Sequence, residues 1–221
     1  MRLVLLTAME IEYRHLSALI GGEGHGFIGS HEVTMAQSGI GKVNAALTVG
    51  RLIDGVHPDA VISTGLCGGL ASRLHQGDLV LGTQTAYHDV WCGMGNVWGQ
   101  VQGLPARFDA DPHLLAIGRQ VSTTARIVEG VIATGDCFVQ DNATREQILT
   151  HLPDAVACDM ESAAIAHTCH LAGIPFLSLR VVSDTPGNTD NHQQQWDEFL
   201  ASMCDTSFQF VKHFLESLPR N

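Results

Sequence analysis

Three carboxylates are placed where they could act as acids or bases on a bound ligand. Glu12 follows the apolar run at residues 2–7, and Glu161 lies at the start of an alanine-rich helical segment. Asp184 comes directly after the apolar run at residues 176–182. Taken singly, each acid is more simply structural, since acids in a first helical turn interact favourably with the helix dipole. Taken together, and without a metal motif, they favour acid/base chemistry on a small ligand.

Residues 159–184 would position two of these acids. Asp159 and Ser162 suit the cap or first turn of a helix, and the alanines that follow are good helix formers. Gly173 predicts the end of that helix. The apolar residues that come next predict a strand covered on both faces, with Asp184 at its carboxyl end. Ligands bind outside the carboxyl ends of strands in open α/β sheets, so the sequence predicts a site there.

The rest of the chain alternates between short apolar runs and helical patterns, which predicts an α/β fold in one domain over residues 1–221. Strands are predicted at 2–7, 32–37, 59–63, 79–85, 127–133 and 155–158, and helices at 8–20, 44–55, 111–119, 142–152 and 196–218. Glycine-rich turns at 39–41, 65–69 and 135 follow three strands and should gather at one edge of the sheet. Residues 87–107 predict a long loop, and loops of this kind are usually functional or used for assembly.

Charge and composition exclude several classes of protein. Lys and Arg number 12 against 23 Asp and Glu, which gives a formal net charge of −11 and disfavours binding to nucleic acid or to an anionic membrane. No apolar run reaches the roughly 18 residues of a membrane span, and the amino-terminal run is too short for a signal-peptide core. A cytoplasmic protein is therefore predicted. The six cysteines include no CxxC motif and are expected to be reduced and mostly buried.

No metal or other cofactor is expected. The chain has twelve histidines, but neither an HExxH motif nor a paired Cys/His spacing. His167 and His170 are three residues apart on a predicted helix, and surface or core histidines explain them better than a metal site does. The sequence GIGK at 39–42 matches neither the phosphate-loop nor the dinucleotide fingerprint.

Seven motifs carry a resemblance to a known family. They are AMEIE at 8–12, SGIGKVNAA at 38–46, STGLCGGL at 63–70, AYHD at 86–89, TGDCFV at 134–139, DMESAAIAH at 159–167 and RVVSD at 180–184. In this order they resemble the 5′-methylthioadenosine/S-adenosylhomocysteine nucleosidases of the wider nucleoside phosphorylase superfamily. The match spans nearly the whole chain. The resemblance implies a three-layer αβα sandwich around a mixed, twisted sheet, a homodimer, and a role in methionine salvage.

The resemblance also implies a reaction and its catalytic residues. The substrate would be an adenine nucleoside, such as 5′-methylthioadenosine, S-adenosylhomocysteine or 5′-deoxyadenosine, and the products adenine and the 5-substituted ribose. Glu12 would be the general base that activates water, and Glu161 would hold the ribose hydroxyls. Asp184 would protonate N7 of the base. We expect desolvation to raise the pKa of Asp184, because it follows apolar residues and must be protonated to act as an acid.

The same resemblance implies a set of substrate-binding residues. Met160 would line the ribose, Phe138 would stack on the base, and the backbone at Val139 would bond the edge of the base. The others are Met9, Ile40, Gly68 and Ser183.

Some choices stay open from the sequence. Leu66, Cys67 and the loop at 90–104 depart from the family pattern, which leaves the 5′ substituent and the base undetermined and keeps futalosine hydrolysis as an alternative. A phosphate-dependent phosphorylase is less favoured, because the chain has few arginines for a phosphate dianion. A nucleoside-binding protein without activity is the alternative of another class, and the presence of all three acids argues against it. The tryptophans in the long loop hint at an interface.

Overall fold

Strands and helices alternate along the chain, as the sequence predicts. This computed structural model describes residues 1–20, 22, 24–186, 199 and 205–219. The strands in these residues are β1 Arg2–Thr7, β2 His25–Ile28, β3 His31–Gln37, β4 Ala60–Gly69, β5 Leu79–Tyr87, β6 Phe108–Asp109, β7 Ile127–Thr134, β8 Ala155–Asp159 and β9 Phe176–Asp184. The helices are α1 Glu10–Ile20, α2 Lys42–Val56, α3 Pro112–Gly118, α4 Asn142–His151, α5 Ser162–Ala172 and α6 Asp205–Glu216. The predicted α/β class is confirmed.

The strands form one mixed sheet that closes on itself. From β3 the order runs in parallel through β1, β4 and β9, and β5 then pairs antiparallel with β9. β7 and β8 continue in parallel from β5, and Gly68 of β4 pairs antiparallel with Cys158 of β8. The five strands β4, β9, β5, β7 and β8 therefore make a ring, a closure that no local sequence pattern announces.

Helices cover the sheet on both faces. In β1, Leu3 and Leu5 belong to a buried cluster that includes Phe214 of α6, whereas Val4 and Leu6 belong to a second cluster that includes the alanines of α5. Successive side chains of a strand point to opposite faces, so these two clusters are the two apolar layers of a sandwich. The predicted three-layer architecture is confirmed, with the ring built into its middle layer.

The glycine-rich stretch at 65–69 is a strand, and its prediction as a turn was wrong. β4 continues through these residues because they pair with β9 along one edge and with β8 at the end. Residues 25–28, for which no strand was predicted, form the short strand β2 against β3. The predicted closing helix at 196–218 overlaps α6, while residues 196–198 and 200–204 lie outside the described residues.

The local signals in the central segment are confirmed. Asp159 ends β8, and its carboxylate accepts a hydrogen bond from the backbone N–H of Ser162 in the first turn of α5. Gly173 ends α5 in the left-handed conformation, with φ 69°. β9 follows and has Asp184 as its last residue. In the part of the chain described here, no helix is long and apolar enough to cross a membrane.

Candidate active site

The carboxyl ends of β4, β8 and β9, together with the segment after β1, surround one cleft, whose empty space is about 640 Å³ when the part open to solvent is included. Nine of the ten site residues predicted from the sequence line it, namely Met9, Glu12, Ile40, Gly68, Phe138, Val139, Met160, Glu161 and Asp184. The tenth, Ser183, is fully buried beside Asp184. The predicted residues are therefore brought together, although they come from six separate stretches of chain.

Glu12 is held rigidly on one side of the cleft by backbone N–H groups. Its Oε2 accepts from the N–H of Ala8 at 3.1 Å and of Met9 at 2.9 Å, and its Oε1 accepts from the N–H of Leu66 at 2.9 Å. The side chain is almost completely buried. Burial raises the pKa of Glu12 above its ordinary value, and these hydrogen bonds together with the positive charge of Arg180 oppose the rise.

Arg180 lies at the centre of the site, and the sequence analysis missed it. This residue of β9 is 2% exposed, and its Nη2 lies 2.8 Å from Oδ2 of Asp159 and 4.0 Å from Oε2 of Glu161. Three hydroxyl groups also surround the guanidinium, those of Ser63, Ser162 and Ser178. An arginine inside an apolar strand is itself a signal, because a buried charge requires partners. Asp159 was likewise missed as its partner.

Gly65 allows Glu12 and Arg180 to come together. A Cβ at this position would lie 2.6 Å from Oε1 of Glu12 and 2.9 Å from Nη1 of Arg180, both too close for a real side chain. Its φ of +145° is also unfavourable for other residues. The glycine that suggested a turn in the sequence therefore permits the close approach of Glu12 and Arg180 to a strand.

Glu161 immediately precedes α5 and points at the start of another helix. Its Oε1 accepts a hydrogen bond of 2.9 Å from the N–H of Gly41, the N-cap residue of α2. A helix N-terminus favours a negative charge. Burial nevertheless raises the pKa of Glu161 to about 7, with Arg180 lowering it and the nearby Asp159 raising it. Glu161 therefore changes its charge near neutral pH.

Asp184 lies at the other side of the cleft, in less polar surroundings. The hydroxyl oxygen of Ser183 is 2.6 Å from its Oδ1 and 3.1 Å from the carbonyl oxygen of Cys67. Cys67 and Cys158 are buried near Asp184, and burial raises the pKa of both thiols, so they stay protonated and neutral. The raised pKa that the sequence predicts for Asp184 itself stays a prediction.

The rim of the cleft is more exposed than its floor. Phe138 is 39% exposed and Ile40 is 52% exposed. Lys42, the first residue of α2, fixes the segment before Phe138. Its backbone N–H donates to Asp136 at 2.8 Å, and its Nζ lies 2.7 Å from both carboxylate oxygens of Asp89. An apolar, partly open rim of this kind suits a flat ring that enters from solvent.

The histidines considered for a metal site make other contacts. Nδ1 of His167 lies 3.0 Å from the hydroxyl of Tyr87, and its ring stacks on Phe108, which the ring of His170 also contacts. Within the described residues, no group of three or more His, Cys, Asp or Glu side chains is arranged to hold a metal ion. The cysteines there are free, with Cys67, Cys158 and Cys169 buried and Cys92 and Cys137 exposed.

Similarity to known proteins extends over almost the whole chain. Residues 2–216 match the model of the phosphorylase superfamily. Over 216 residues the chain is 41% identical to a 5′-methylthioadenosine/S-adenosylhomocysteine nucleosidase from Chromohalobacter salexigens, which covers 96% of this chain and 91% of that relative.

Solved structures agree with this similarity. A 5′-methylthioadenosine/S-adenosylhomocysteine nucleosidase from Neisseria meningitidis, in complex with methylthio-immucillin-A, superposes with a TM-score of 0.92 at 36% identity, covering 98% of this chain and 99% of that one. A futalosine hydrolase mutant from Helicobacter pylori superposes with a TM-score of 0.89 at 27% identity, covering 98% and 99%.

Proposed function

We infer the function of this chain from its family: it belongs to the phosphorylase superfamily and, within it, to the 5′-methylthioadenosine/S-adenosylhomocysteine nucleosidases. It is an N-glycosidic hydrolase that cleaves an adenine nucleoside into adenine and a 5-substituted ribose. The observation that carries this conclusion is the convergence of Glu12, Glu161 and Asp184 on one cleft. The direct test is chromatographic detection of free adenine from 5′-methylthioadenosine and S-adenosylhomocysteine.

Glu12 is the general base in this proposal. Its Oε1 accepts a single backbone N–H, so one acceptor position on that oxygen stays available for a water molecule. Three N–H donors fix the carboxylate and leave it no freedom to turn away. The nearby Arg180 favours the ionised form that a base requires. These features support attack by a water that Glu12 orients and deprotonates.

Asp184 protonates the leaving base. Ser183 has one hydroxyl proton and lies within hydrogen-bonding distance of both Asp184 and the carbonyl oxygen of Cys67. If that proton goes to the carbonyl, the 2.6 Å contact requires the proton to be on Asp184. This arrangement supports a protonated Asp184 that donates to N7 of adenine as the glycosidic bond breaks, which makes the base a better leaving group.

Glu161 binds the ribose and stabilises the transition state. Cleavage of an N-glycosidic bond builds positive charge on the sugar, which a nearby carboxylate stabilises. Because the pKa of Glu161 is raised to about 7, we expect kcat/KM to fall as the pH falls through that region and Glu161 loses its charge. A pH–rate profile without an acid limb near this value would contradict the assignment.

The remaining cleft residues bind the rest of the nucleoside. Phe138 at the rim stacks on the purine, and Val139, which is 5% exposed, offers its backbone to the edge of the base. Met160 packs against the ribose, beside Glu161. Met9, Ile40 and Gly68 complete the walls.

Water is a better nucleophile for this site than phosphate. Among the described residues, Arg180 is the one cationic side chain that lines the cleft, and it is already paired with Asp159 at 2.8 Å. A phosphate dianion would also meet the negative charges of Glu12 and Glu161. We therefore expect the rate of adenine release to be independent of added phosphate. Acceleration by millimolar phosphate would make the enzyme a phosphorylase instead.

Two substrate classes differ in the 5′ substituent that the enzyme would accept. The chain is similar both to a methylthioadenosine/S-adenosylhomocysteine nucleosidase and to a futalosine hydrolase. We propose the adenine nucleosides, because the chain shares 41% identity with a relative of that name. A panel of 5′-methylthioadenosine, S-adenosylhomocysteine, 5′-deoxyadenosine and futalosine, compared by kcat/KM, separates the classes. Faster release of hypoxanthine from futalosine than of adenine from the others would reverse the choice.

A homodimer is the assembly we propose. Val43 and Leu47 on α2 and Leu171 on α5 are 76%, 52% and 67% exposed, and they lie on two helices that pack side by side. Exposed apolar side chains grouped in this way are typical of an interface. Analytical ultracentrifugation should give twice the mass of the chain, and Leu47→Asp should shift the protein to the monomer. A wild-type monomer at micromolar concentration would refute the assembly. A cytoplasmic location and a role in methionine salvage stay predictions.

A further inference from the structure

The Arg180 guanidinium is shared unequally between two buried carboxylates. Nη2 lies 2.8 Å from Oδ2 of Asp159 but 4.0 Å from Oε2 of Glu161. All three side chains are more than nine-tenths buried. In such surroundings an arginine pairs closely with any carboxylate it can reach, because charge-assisted hydrogen bonds are strong there. The separation from Glu161 therefore requires a group that holds Arg180 elsewhere.

Asp159 is anchored firmly enough to be that group. Its Oδ1 accepts from the hydroxyl of Thr134 at 2.5 Å, and the N–H of Ser162 lies 3.2 Å from both carboxylate oxygens. The Thr134 hydroxyl oxygen in turn accepts from the N–H of Ala163 at 2.9 Å. These contacts tie the carboxylate to the end of β7 and the start of α5. Oδ2 is thereby fixed in the direction of Arg180.

Glu161 is held on its opposite side. Oε1 accepts from the N–H of Gly41 at the N-terminus of α2. At 4.0 Å from Oε2, the guanidinium of Arg180 stops short of hydrogen-bonding distance. The geometry of Glu161 is therefore set by two elements that pull apart, with α2 on one side and the Asp159–Arg180 pair on the other.

We propose that Asp159 is a positioning residue that holds the Arg180 guanidinium off Glu161, so that Oε2 of Glu161 stays open to the sugar hydroxyls of the nucleoside. The inference rests on the proposed function, in which Glu161 binds the ribose. Without the charge of Asp159, Arg180 pairs directly with Glu161. The substrate then has to displace an internal ion pair before its hydroxyls can bind.

The ionisation of Glu161 gives the inference a second measurable consequence. Glu161 is faced by Asp159 from β8, Arg180 from β9, Glu12 from α1 and the N-terminus of α2. The titratable groups that face Asp159 are Arg180, Glu161, Cys67, Cys158 and His88. Removing the charge of Asp159 removes a repulsion from Glu161 and gives it a larger share of Arg180. Glu161 should then stay ionised to a lower pH.

Asp159→Asn in the full-length protein tests the inference, because it removes the charge and keeps the shape. We expect KM for 5′-methylthioadenosine to rise about tenfold, kcat to change much less, and the acid limb of kcat/KM to move by about one unit to lower pH. Asp154→Asn is the matched control: it makes the same substitution in an exposed ion pair with Arg107 and leaves Asp159 intact. We expect Asp154→Asn to leave both KM and the acid limb unchanged. Asp159→Ser, which also removes the charge, replaces the asparagine variant if that variant does not fold.

A titration independent of activity separates this inference from the proposed function. In protein labelled with ¹³C at the Glu side-chain carboxyl, the Glu161 signal is assigned as the one that Glu161→Gln removes. It should titrate at lower pH in Asp159→Asn than in the wild type. An unchanged titration, or a KM and acid limb equal to those of Asp154→Asn, would overturn the positioning role. A wild-type protein that releases no base from any nucleoside would instead overturn the proposed function, while the ¹³C titration would still judge Asp159.

Discussion

The two ends of the cleft are built in opposite ways. The sugar end is the part of the cleft that we propose binds the ribose. Its charged groups are Glu12, Glu161 and Arg180, which are 1%, 5% and 2% exposed. Backbone N–H groups, hydroxyls and each other hold these charges in place. The base end is formed by Asp184, Phe138, Cys67 and Cys158. There Asp184 lies near the neutral thiols of Cys67 and Cys158, and the ring of Phe138 at the rim is 39% exposed.

Under the proposed function, this difference would divide the work of breaking a glycosidic bond between the two ends. Positive charge develops on the sugar, so fixed charges at that end stabilise the transition state without having to reorganise. The base leaves as a neutral ring once it has taken a proton. It therefore requires shape, a stacking surface and one proton donor. Substitutions of the groups that touch the reacting atoms should mainly change kcat. Substitutions on the rim of the base end, or of Asp159, which acts through Arg180, should mainly change KM.

The largest effect is expected at the sugar end, from Glu12→Gln. Glutamine keeps the size of the side chain but cannot take a proton from water, so we expect kcat to fall about a thousandfold. The matched control is Glu10→Gln in the same helical turn. Glu10 is exposed and pairs with Arg14, four residues away, so the activity of the Glu10→Gln variant should equal that of the wild type. Equal losses in the two variants would mean that Glu12 is not the base.

Asp184→Asn tests whether loss of the acid at the base end lowers activity as much as loss of a charge at the sugar end. Asparagine cannot protonate N7, and we expect kcat to fall about a hundredfold and the basic limb of the pH–rate profile to disappear. Asp154→Asn, which breaks an exposed ion pair with Arg107, should leave both unchanged. An Asp184→Asn enzyme with the wild-type profile and rate would remove proton donation from the mechanism.

Sequence reasoning was more successful at the base end than at the sugar end. Asp184 is placed by local signals alone, since an apolar strand ends at a polar pair and its carboxyl end faces the cleft. Arg180, four residues earlier, gives no sign of its role until its partners are known. Those partners come from other strands: Ser63 belongs to β4 and Asp159 to β8. Such contacts depend on which distant strands pair with each other, and local patterns in a single sequence do not predict that pairing.

The stretch at 65–69 illustrates the same limit in the fold. Glycine-rich sequences usually predict turns, because glycine is unfavourable within strands. Here a strand contains glycine at position 65 because Glu12 and Arg180 occupy the space that a Cβ would take. The element order and the helix stop at Gly173 were predictable because each depends on nearby residues. The closed ring and the buried charges were not, because they depend on contacts between distant strands.

Phe138→Ala tests the rim of the base end, where binding should be affected more than chemistry. Loss of the stacking surface should raise KM about tenfold, since stacking on a base is worth roughly 1–3 kcal/mol, and should change kcat only a few-fold. Phe27→Ala is the control, because Phe27 is 67% exposed on β2 and does not line the cleft. A fall in kcat with unchanged KM would show that Phe138 acts in the chemical step, and the division between the two ends would fail.

The smallest effect is on stability, and it tests whether the charge of the sugar end opposes folding. The pKa of Glu161 is raised to about 7 from an ordinary 4.5 by burial, so between these values the folded protein holds a proton that the unfolded chain releases. The stability associated with this group is therefore full below about pH 4.5 and is lost as the pH rises to about 7.

Glutamine cannot ionise and removes that loss. Calorimetry should therefore give Glu161→Gln a higher Tm than the wild type at about pH 8. The expected difference is a few degrees, since 1 kcal/mol shifts Tm by about 2–4 °C in a domain of this size. Near pH 4.5 the two proteins should differ little. Glu10→Gln should show no such pH dependence, and a constant Tm difference at both pH values would mean that Glu161 is ionised at no cost to the fold.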